Sequence, residues 1–393
     1  MLVSGSTLVM LSLLACDPPR KSTYALPTKK LPGIAPSKLA QLPIGVPDKD
    51  ANAESRRVLL VVNKSSDVSI RIAEYYAAKR KIPGRNVVAI NCSTSEQMMV
   101  DEYDQRILKP VKEAIRKSKD RIDFIVTTKG TPIRVRNGWG YSVDALLAAM
   151  EKSFPAIPDD LTKLPRGYNV SADIERARNP YYGATAKFNS KTFGIYLVTR
   201  LDGYELSHIK GLIDRSVAAK PAKGPFFFDE ADNRRVGGYA QMQDTLGQAD
   251  QALRKKGFSS QLDKSGTFLA PRDPLMGYAS WGSNDGAYKK ETYQKIRFKP
   301  GALVETFVST SGRTFNRTTA PGQSLIADLI EQGVTGVKGY VSEPWTFALA
   351  NPALLFDRYT SGYNLAESFY AASPVIKWKD VVIGDPLCNP YAR

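Results

Sequence analysis

Continuous runs of apolar, mostly β-branched residues alternate with segments of helical periodicity through much of this chain. The run "RRVLLVVN" at 56–63, for example, is followed by the helical pattern "DVSIRIAEYYAAKRK" at 67–81. An unbroken apolar run is typical of a strand buried on both faces. Because a helix between two parallel strands must cross over the sheet, this order predicts right-handed βαβ units. We therefore predict an α/β fold, a three-layer αβα sandwich on a mainly parallel sheet.

The strand and helix patterns recur on both sides of residue 220. This recurrence predicts an N-terminal half at 55–220 and a C-terminal half at 221–393, which could form two subdomains. Residues 151–190 are rich in Pro, Asn and Tyr and show weak periodicity. We expect this stretch to be an insertion over one edge of the N-terminal half.

The first sixteen residues, "MLVSGSTLVMLSLLAC", are apolar but too few to span a bilayer as a helix. They suit the apolar region of a signal peptide, and their end, "LLAC", resembles a bacterial lipobox. That resemblance implies cleavage before Cys16 and lipidation of its thiol. Residues 17–54 are rich in Pro and Lys and predict a linker beside anionic headgroups. We expect an exported protein, lipid-anchored to a bacterial membrane at its periplasmic face or at the cell surface.

The formal net charge of +16 favours an anionic partner such as a membrane surface or a cell-wall polymer. Nucleic acid is also anionic, and no block of Lys and Arg is long enough to choose among these partners. Because export would nearly exclude nucleic acid, we expect no nucleic-acid partner. Beyond the membrane, the expected partner is an unidentified ligand or envelope protein.

The chain has one histidine, His208, and three cysteines. These numbers argue against a zinc site and against a disulfide framework. Cys92 and Cys388 are expected to be buried thiols, or else to form a disulfide with each other. We expect no metal site and no cofactor, although carboxylates leave a divalent cation open.

Polar residues follow several predicted strands, and in open parallel sheets ligands bind at the carboxyl ends of the strands. The stretch "MGYASWGSNDG" at 276–286 opens such a loop with Trp, Ser, Asn and Asp together. The candidate cleft consists of Asp202, Trp281, Ser283, Asn284, Asp285, Ser309, Glu343 and Asp385. The alternative is that Asn284 and Asp285 only form a local turn and that Trp281 belongs to the core.

Several stretches resemble an uncharacterised family of bacterial secreted proteins over residues 55–393. They are "GYASWGSNDG", "GALVETFVSTSGRTF", "GVTGVKGYVSEP", "VIGDPLCNPY", "VTTKGTPIRV" and "YLVTRLDGY". More distantly, the chain is similar to gingipain-type cysteine peptidases, which have a caspase-like fold. In those enzymes one strand ends in the catalytic histidine and a later strand ends in the catalytic cysteine. Trp281 stands at the histidine position here, and Ser309 or its neighbours stand at the cysteine position.

Both members of the peptidase dyad are therefore missing from this sequence. An indole offers only a donor, and a serine without a base is a poor nucleophile. We expect a membrane-anchored envelope lipoprotein without Cys–His peptidase chemistry, which binds a ligand or partner at the strand ends. The alternative is a carboxylate- or metal-dependent hydrolase of the envelope, using groups such as Asp202, Asp285 or Glu343.

Overall fold

The computed structural model describes residues 31, 33–41, 43–136, 140–154, 157–158, 161–318 and 320–392. The predicted signal peptide, with Cys16, lies outside the described residues, as do most of residues 17–32. Within the described residues, no helix is both long enough and apolar enough to cross a membrane.

A large sheet forms the centre of the molecule. The strands, in chain order, are β1 Val58–Asn63, β2 Val87–Ile90, β3 Gln97–Met99, β4 Phe124–Thr128, β5 Arg134–Arg136, β6 Leu197–Leu201, β7 Phe226–Asp229, β8 Ser260–Asp263, β9 Leu275–Ser280, β10 Phe298–Thr306, β11 Gly336–Tyr340 and β12 Asp380–Ile383. Ten of them form one sheet in the order β2-β1-β4-β6-β12-β11-β10-β9-β7-β8, and β3 pairs with β5 separately. Every pairing between two of these strands is parallel except that between β11 and β12.

Helices cover both faces of the sheet. They are α1 Asp67–Arg80, α2 Val100–Tyr103, α3 Lys109–Lys117, α4 Val143–Ala148, α5 Val170–Arg176, α6 Ser190–Phe193, α7 Leu206–Val217, α8 Gly237–Lys255, α9 Lys290–Tyr293, α10 Ile326–Glu331, α11 Pro352–Thr360 and α12 Leu365–Ala372. On β11, Gly336 packs against Leu365 of α12, whereas Gly339 packs against Ile326 of α10. Because positions 336 and 339 point to opposite faces of a strand, α10 and α12 lie on opposite sides. The predicted α/β sandwich on a mainly parallel sheet is confirmed.

The antiparallel pairing of β12 with β11 divides the sheet into two half-sheets that run in opposite directions. Tyr340 at the end of β11 lies opposite Asp380 at the start of β12. In contrast, β12 runs parallel to β6, where Ile383 pairs with Arg200. The carboxyl ends of β1, β4, β6 and β12 therefore lie at one edge, and those of β7 to β11 lie at the other.

Part of the stretch predicted to be a linker lies on the folded chain. The backbone N–H of Ser37 donates to the carbonyl of Lys64 over 2.6 Å. Val46 exchanges backbone hydrogen bonds of 2.8 and 3.0 Å with Ile82 and Gly84. These bonds hold the described residues before β1 against the loops that surround α1.

Candidate functional site

A pocket of about 380 Å³ opens at the carboxyl ends of β9, β10 and β11, and we call it the strand-end pocket. Its lining residues are Arg234, Gly238, Tyr239, Trp281, Asn284, Phe307, Ser309, Glu343, Pro344, Trp345, Thr346 and Leu349. The structure thus brings together four of the predicted cleft residues: Trp281, Asn284, Ser309 and Glu343. They converge because β9, β10 and β11 are neighbours that run in the same direction.

Aromatic rings form one wall of the strand-end pocket. Trp281 is 2% exposed, and its ring lies edge to face against Phe307, with centroids 4.9 Å apart, and against Tyr239 at 5.7 Å. The guanidinium of Arg234 lies 5.4 Å from the centroid of Trp281. The indole N–H already donates to Oε1 of Gln243 over 2.9 Å. Trp281 is therefore both core and pocket wall, so the two interpretations of this residue do not exclude each other.

Asn284 fixes the shape of the loop after β9. Its side-chain amide donates to the carbonyl of Phe307 over 2.7 Å, and its side-chain oxygen accepts from Gln323 over 2.8 Å. Its backbone carbonyl accepts two bonds from Arg234, of 2.9 and 2.7 Å. The neighbouring Ser283 accepts a bond from the backbone of Ser324 over 2.8 Å, and it is not part of the pocket lining.

The opposite rim carries a tryptophan in a backbone conformation that belongs almost only to glycine. Trp345 has φ 60° and ψ 160°. Its backbone N–H donates to Oε1 of Glu343 over 3.0 Å, and Lys379 donates to the Glu343 carbonyl over 2.9 Å. The indole of Trp378 donates to the Pro344 carbonyl over 2.8 Å. Such strain costs about 1–3 kcal/mol and persists where the surroundings enforce it, as they often do at ligand sites.

Asp285 lies behind the loop in a group of buried carboxyls instead of in the pocket. It is buried, and one of its oxygens accepts the N–H of Ala287 over 2.8 Å. Nearby, Asp229 is 1% exposed and lies in register with Asp263 of the adjacent strand. Burial, reinforced by the charges of Asp263 and Asp285, raises the pKa of Asp229 to about 8. Burial also raises the pKa of Asp285.

A metal site is not assembled from these groups. Within the described residues, no three His, Cys, Asp or Glu side chains are arranged so that they could hold a metal ion. Burial and the charges of Asp263 and Asp285 instead favour the protonated form of Asp229.

Asp202 does not belong to the strand-end pocket, which corrects the prediction of one shared cleft. It follows β6, whose carboxyl end lies at the opposite edge of the sheet because β12 reverses the direction. There Asp202 is buried, 3.4 Å from Nζ of Lys129 and 3.6 Å from Arg200. Burial raises its pKa against the opposing effect of these two cations. Asp202 is part of an internal ion network.

Asp385 lies at that same opposite edge, after β12. Its carboxylate accepts the hydroxyl of Tyr76 over 2.8 Å and pairs with Arg80 of α1. It also accepts the backbone N–H of Leu387 over 3.0 Å. Asp385 therefore ties α1 to the end of the chain, and the prediction that it lines the cleft is wrong for the same topological reason.

The residues that could support thiol or imidazole chemistry lie elsewhere. His208 is on α7, with Nε2 3.8 Å from Glu331, and it does not line the pocket. Cys92 and Cys388 are both free and buried, so the alternative of a disulfide between them is not realised. Burial raises the pKa of each thiol to about 12.

Sequence reasoning missed the pocket residues that come from other elements. Arg234 and Tyr239 flank the start of α8, and no periodic or turn signal marks them as neighbours of the loop after β9. Trp345 lies two residues after Glu343, directly after the "VSEP" stretch. This closeness in sequence to a predicted cleft residue could have indicated that Trp345 also lines the pocket.

No model of a known protein family matches the chain, and no curated protein matches it either.

Proposed function

We propose that this protein is a lipid-anchored binding protein of the bacterial envelope and a non-peptidase relative of the caspase-fold peptidases. Its strand-end pocket holds a small ligand or part of a partner protein. The observation that carries this proposal is that Trp281 and Ser309 line the same pocket. The resemblance to the peptidases would place Trp281 at the position of their catalytic histidine, and Ser309 or its neighbours at the position of their catalytic cysteine.

The chemistry of the pocket favours binding over catalysis. The N–H of Trp281 is already used by Gln243, and an indole cannot accept a proton. Ser309 has no histidine beside it, because the only histidine of the chain lies on α7. Aromatic rings with a few polar groups instead favour a ligand with a flat apolar face and hydrogen-bonding groups at its edges. Arg234 and Glu343 supply polar contacts at two sides.

The hydrolase alternative has less support from the geometry. Of Asp202, Asp285 and Glu343, only Glu343 lines the pocket. Acid–base catalysis by two carboxyls needs both within reach of the same substrate atoms. Among the described residues the pocket lining provides a single carboxylate, so turnover at this site would require another partner for Glu343.

A pocket-filling variant tests the binding proposal. Full-length protein, purified in detergent, is titrated by calorimetry with soluble muropeptides, chitooligosaccharides and short peptides. Ser309→Trp places a large ring in the strand-end pocket. Gln261→Trp makes the same addition in a different pocket, at the opposite end of the same half-sheet. We expect a probe that binds wild type and Gln261→Trp but not Ser309→Trp.

Three results would contradict the proposal. They are no binding by any probe, equal binding by Ser309→Trp, and peptide cleavage that is lost in Ser309→Ala.

The anchor has its own test, in which cells are labelled with radioactive palmitate. Wild type should carry the label and Cys16→Ser should not. An unlabelled wild-type protein that is released in soluble form would remove the lipoprotein part of the proposal and leave the pocket part standing.

A further inference from the structure

A second pocket, of about 350 Å³, is lined by residues of the N-terminal half together with Lys377 of the C-terminal half, and it shares no lining residue with the strand-end pocket. We call it the π-segment pocket. Its lining residues are Val100, Tyr103, Asp104, Leu108, Val135, Tyr141, Leu146, Ala149, Met150, Lys152 and Lys377. Most of these side chains are apolar, and two of them are lysines.

The helix beside this pocket is irregular at the lining residues. Between α2 and α3, the segment Asp104–Leu108 is π-helical, and both of its end residues line the pocket. Single π-helical turns are rare and occur frequently at functional sites, because they redirect side chains at a cost in helix stability. Pro110, in the first turn of α3, contributes to the irregularity, because a proline has no backbone N–H to donate to the carbonyl of Arg106 inside the segment.

Tyr103, which lines the π-segment pocket, has a hydroxyl group that forms no hydrogen bond with the described residues. The residue is 3% exposed, and its hydroxyl is buried with no hydrogen-bond partner among the described residues. An unsatisfied buried hydroxyl costs about 1–3 kcal/mol. A phenylalanine at this position would avoid that cost. The hydroxyl is therefore available for a hydrogen bond to a bound ligand.

The two lysines bring positive charge to the pocket lining. Nζ of Lys152 donates to the carbonyl of Phe193 over 2.7 Å, and Nζ of Lys377 donates to the carbonyl of Phe154 over 2.9 Å. Neither forms an ion pair with a carboxylate in the described part of the chain. Lys377 has a backbone φ of 58°, in the left-handed region that non-glycine residues adopt infrequently, and burial lowers the pKa of its ammonium group. Burial raises the pKa of Asp104, the acidic residue of the lining, so its carboxyl is less readily ionised.

We propose that the π-segment pocket binds a single-chain anionic amphiphile of the fatty-acid type. The aliphatic chain lies against Val100, Leu146 and Met150, and the carboxylate lies against Lys152 and Lys377. At 350 Å³ the pocket is near the lower limit for small-molecule sites, about 300 Å³, which favours one medium-length chain over a two-chain lipid. At the mouth, Val100 is 44% exposed and next to the exposed Met99, which extends the apolar surface outward.

Calorimetric titration of the full-length protein with octanoate tests this site. The double variant Lys152→Gln/Lys377→Gln should weaken octanoate binding about tenfold or more, because two charge-assisted contacts are lost. Its affinity for the neutral 1-octanol should stay the same. The control Lys119→Gln/Lys191→Gln removes two exposed lysines outside the pocket and should bind octanoate as wild type does.

A blocking variant locates the site. Val100→Trp, at the mouth, should abolish octanoate binding, whereas Met99→Trp, one residue away and outside the lining, should not. Both positions are exposed, so folding is expected to survive and is checked by circular dichroism. No octanoate binding at millimolar concentration, or unchanged binding in Val100→Trp, would overturn the proposal. So would equal affinity for octylammonium, and tighter binding of dioctanoyl phosphatidylglycerol would overturn the single-chain assignment. None of these outcomes depends on the strand-end pocket.

Discussion

The carboxylate of Glu343 accepts the backbone N–H of Trp345 over 3.0 Å, and this bond helps to hold Trp345 in a glycine-type conformation at the rim of the strand-end pocket. The prediction is an inverted order of stability at position 345. At most helix and strand positions Ala is more stable than Gly by about 0.5–1 kcal/mol. Here Trp345→Gly should exceed Trp345→Ala in free energy of unfolding by about 1–3 kcal/mol, because only Gly avoids the strain.

Urea denaturation of the two variants measures this difference, and the loss of the indole ring is common to both. Gln251, an exposed residue in the interior of α8, is the control position, where Ala should be more stable than Gly by about 0.5–1 kcal/mol. If Trp345→Ala were the more stable variant, the rim would not be strained and one argument for the pocket would fail.

The second prediction concerns the pH dependence of stability through Asp229. Its pKa in the folded protein is about 8, against an ordinary value of 3.8. Between these values the unfolded chain is ionised while the folded carboxyl keeps its proton. The free energy of unfolding therefore falls as the pH rises from about 4 to about 8, by up to a few kcal/mol. Asp229→Asn removes the contribution of Asp229 to that decline and should gain stability relative to wild type as the pH rises to 8. Glu305, whose pKa burial also raises to about 8, keeps its own contribution in both proteins.

Thermal or chemical denaturation at several pH values tests this sign. Asp244→Asn, an exposed carboxylate on α8, should leave the pH profile as it is in wild type. A wild-type protein whose stability rises between pH 5 and pH 8 relative to Asp229→Asn would show that Asp229 is ionised in the folded state.

The third prediction concerns the ion network at the other edge of the sheet. Arg200 is fully buried and forms a two-bond pair with Asp144, of 3.0 and 2.7 Å. It also donates to the carbonyls of Thr131 and Pro132. Arg200→Ala should lower the free energy of unfolding by about 3–5 kcal/mol, because it leaves Asp144 as an unpaired buried charge.

The double variant Arg200→Met/Asp144→Leu should be less destabilised than Arg200→Ala, since it removes both charges and keeps apolar volume. Both proteins should still bind any probe of the strand-end pocket, which lies at the opposite edge. If the double variant is fully folded but no longer binds the probe, the ion network at this edge of the sheet takes part in ligand binding.

The sequence is sufficient to predict the fold class but not the direction of every strand. The apolar runs identify the buried strands, because a strand covered on both faces cannot alternate in polarity. β8, with the sequence "SQLD", is short and polar, and it is the outermost strand of the sheet. No apolar run marks it in the sequence. The reversal at β12 depends on how the chain returns after α12, a long-range choice with no local signature. For this reason Asp202 and Asp385 were grouped with residues that lie at the other edge.

The candidate pocket was predictable in part for the same reason. Trp281, Asn284, Ser309 and Glu343 each follow a strand, and three neighbouring parallel strands bring them together. Tyr239 reaches the pocket from the first turn of α8, and Arg234 reaches it from the short turn before that helix, so their positions depend on how α8 packs across the sheet. Pattern alone indicates which residues follow strands, whereas packing decides which of them meet.

The last prediction concerns the two buried thiols, whose reactivity would decide whether thiol chemistry remains. In the full chain carrying Cys16→Ser, two of the three cysteines remain, Cys92 and Cys388. Both are buried, burial raises the pKa of each to about 12, and the sulfur of Cys388 lies 3.5 Å from the hydroxyl of Tyr359. Because the thiolate is the reactive form, a disulfide reagent at pH 8 should label neither thiol while the protein is folded. Both should react once guanidinium unfolds it, at a rate that follows unfolding. Rapid labelling of the folded protein, lost in Cys92→Ala or Cys388→Ala, would show an activated thiol and would contradict the assignment as a non-peptidase.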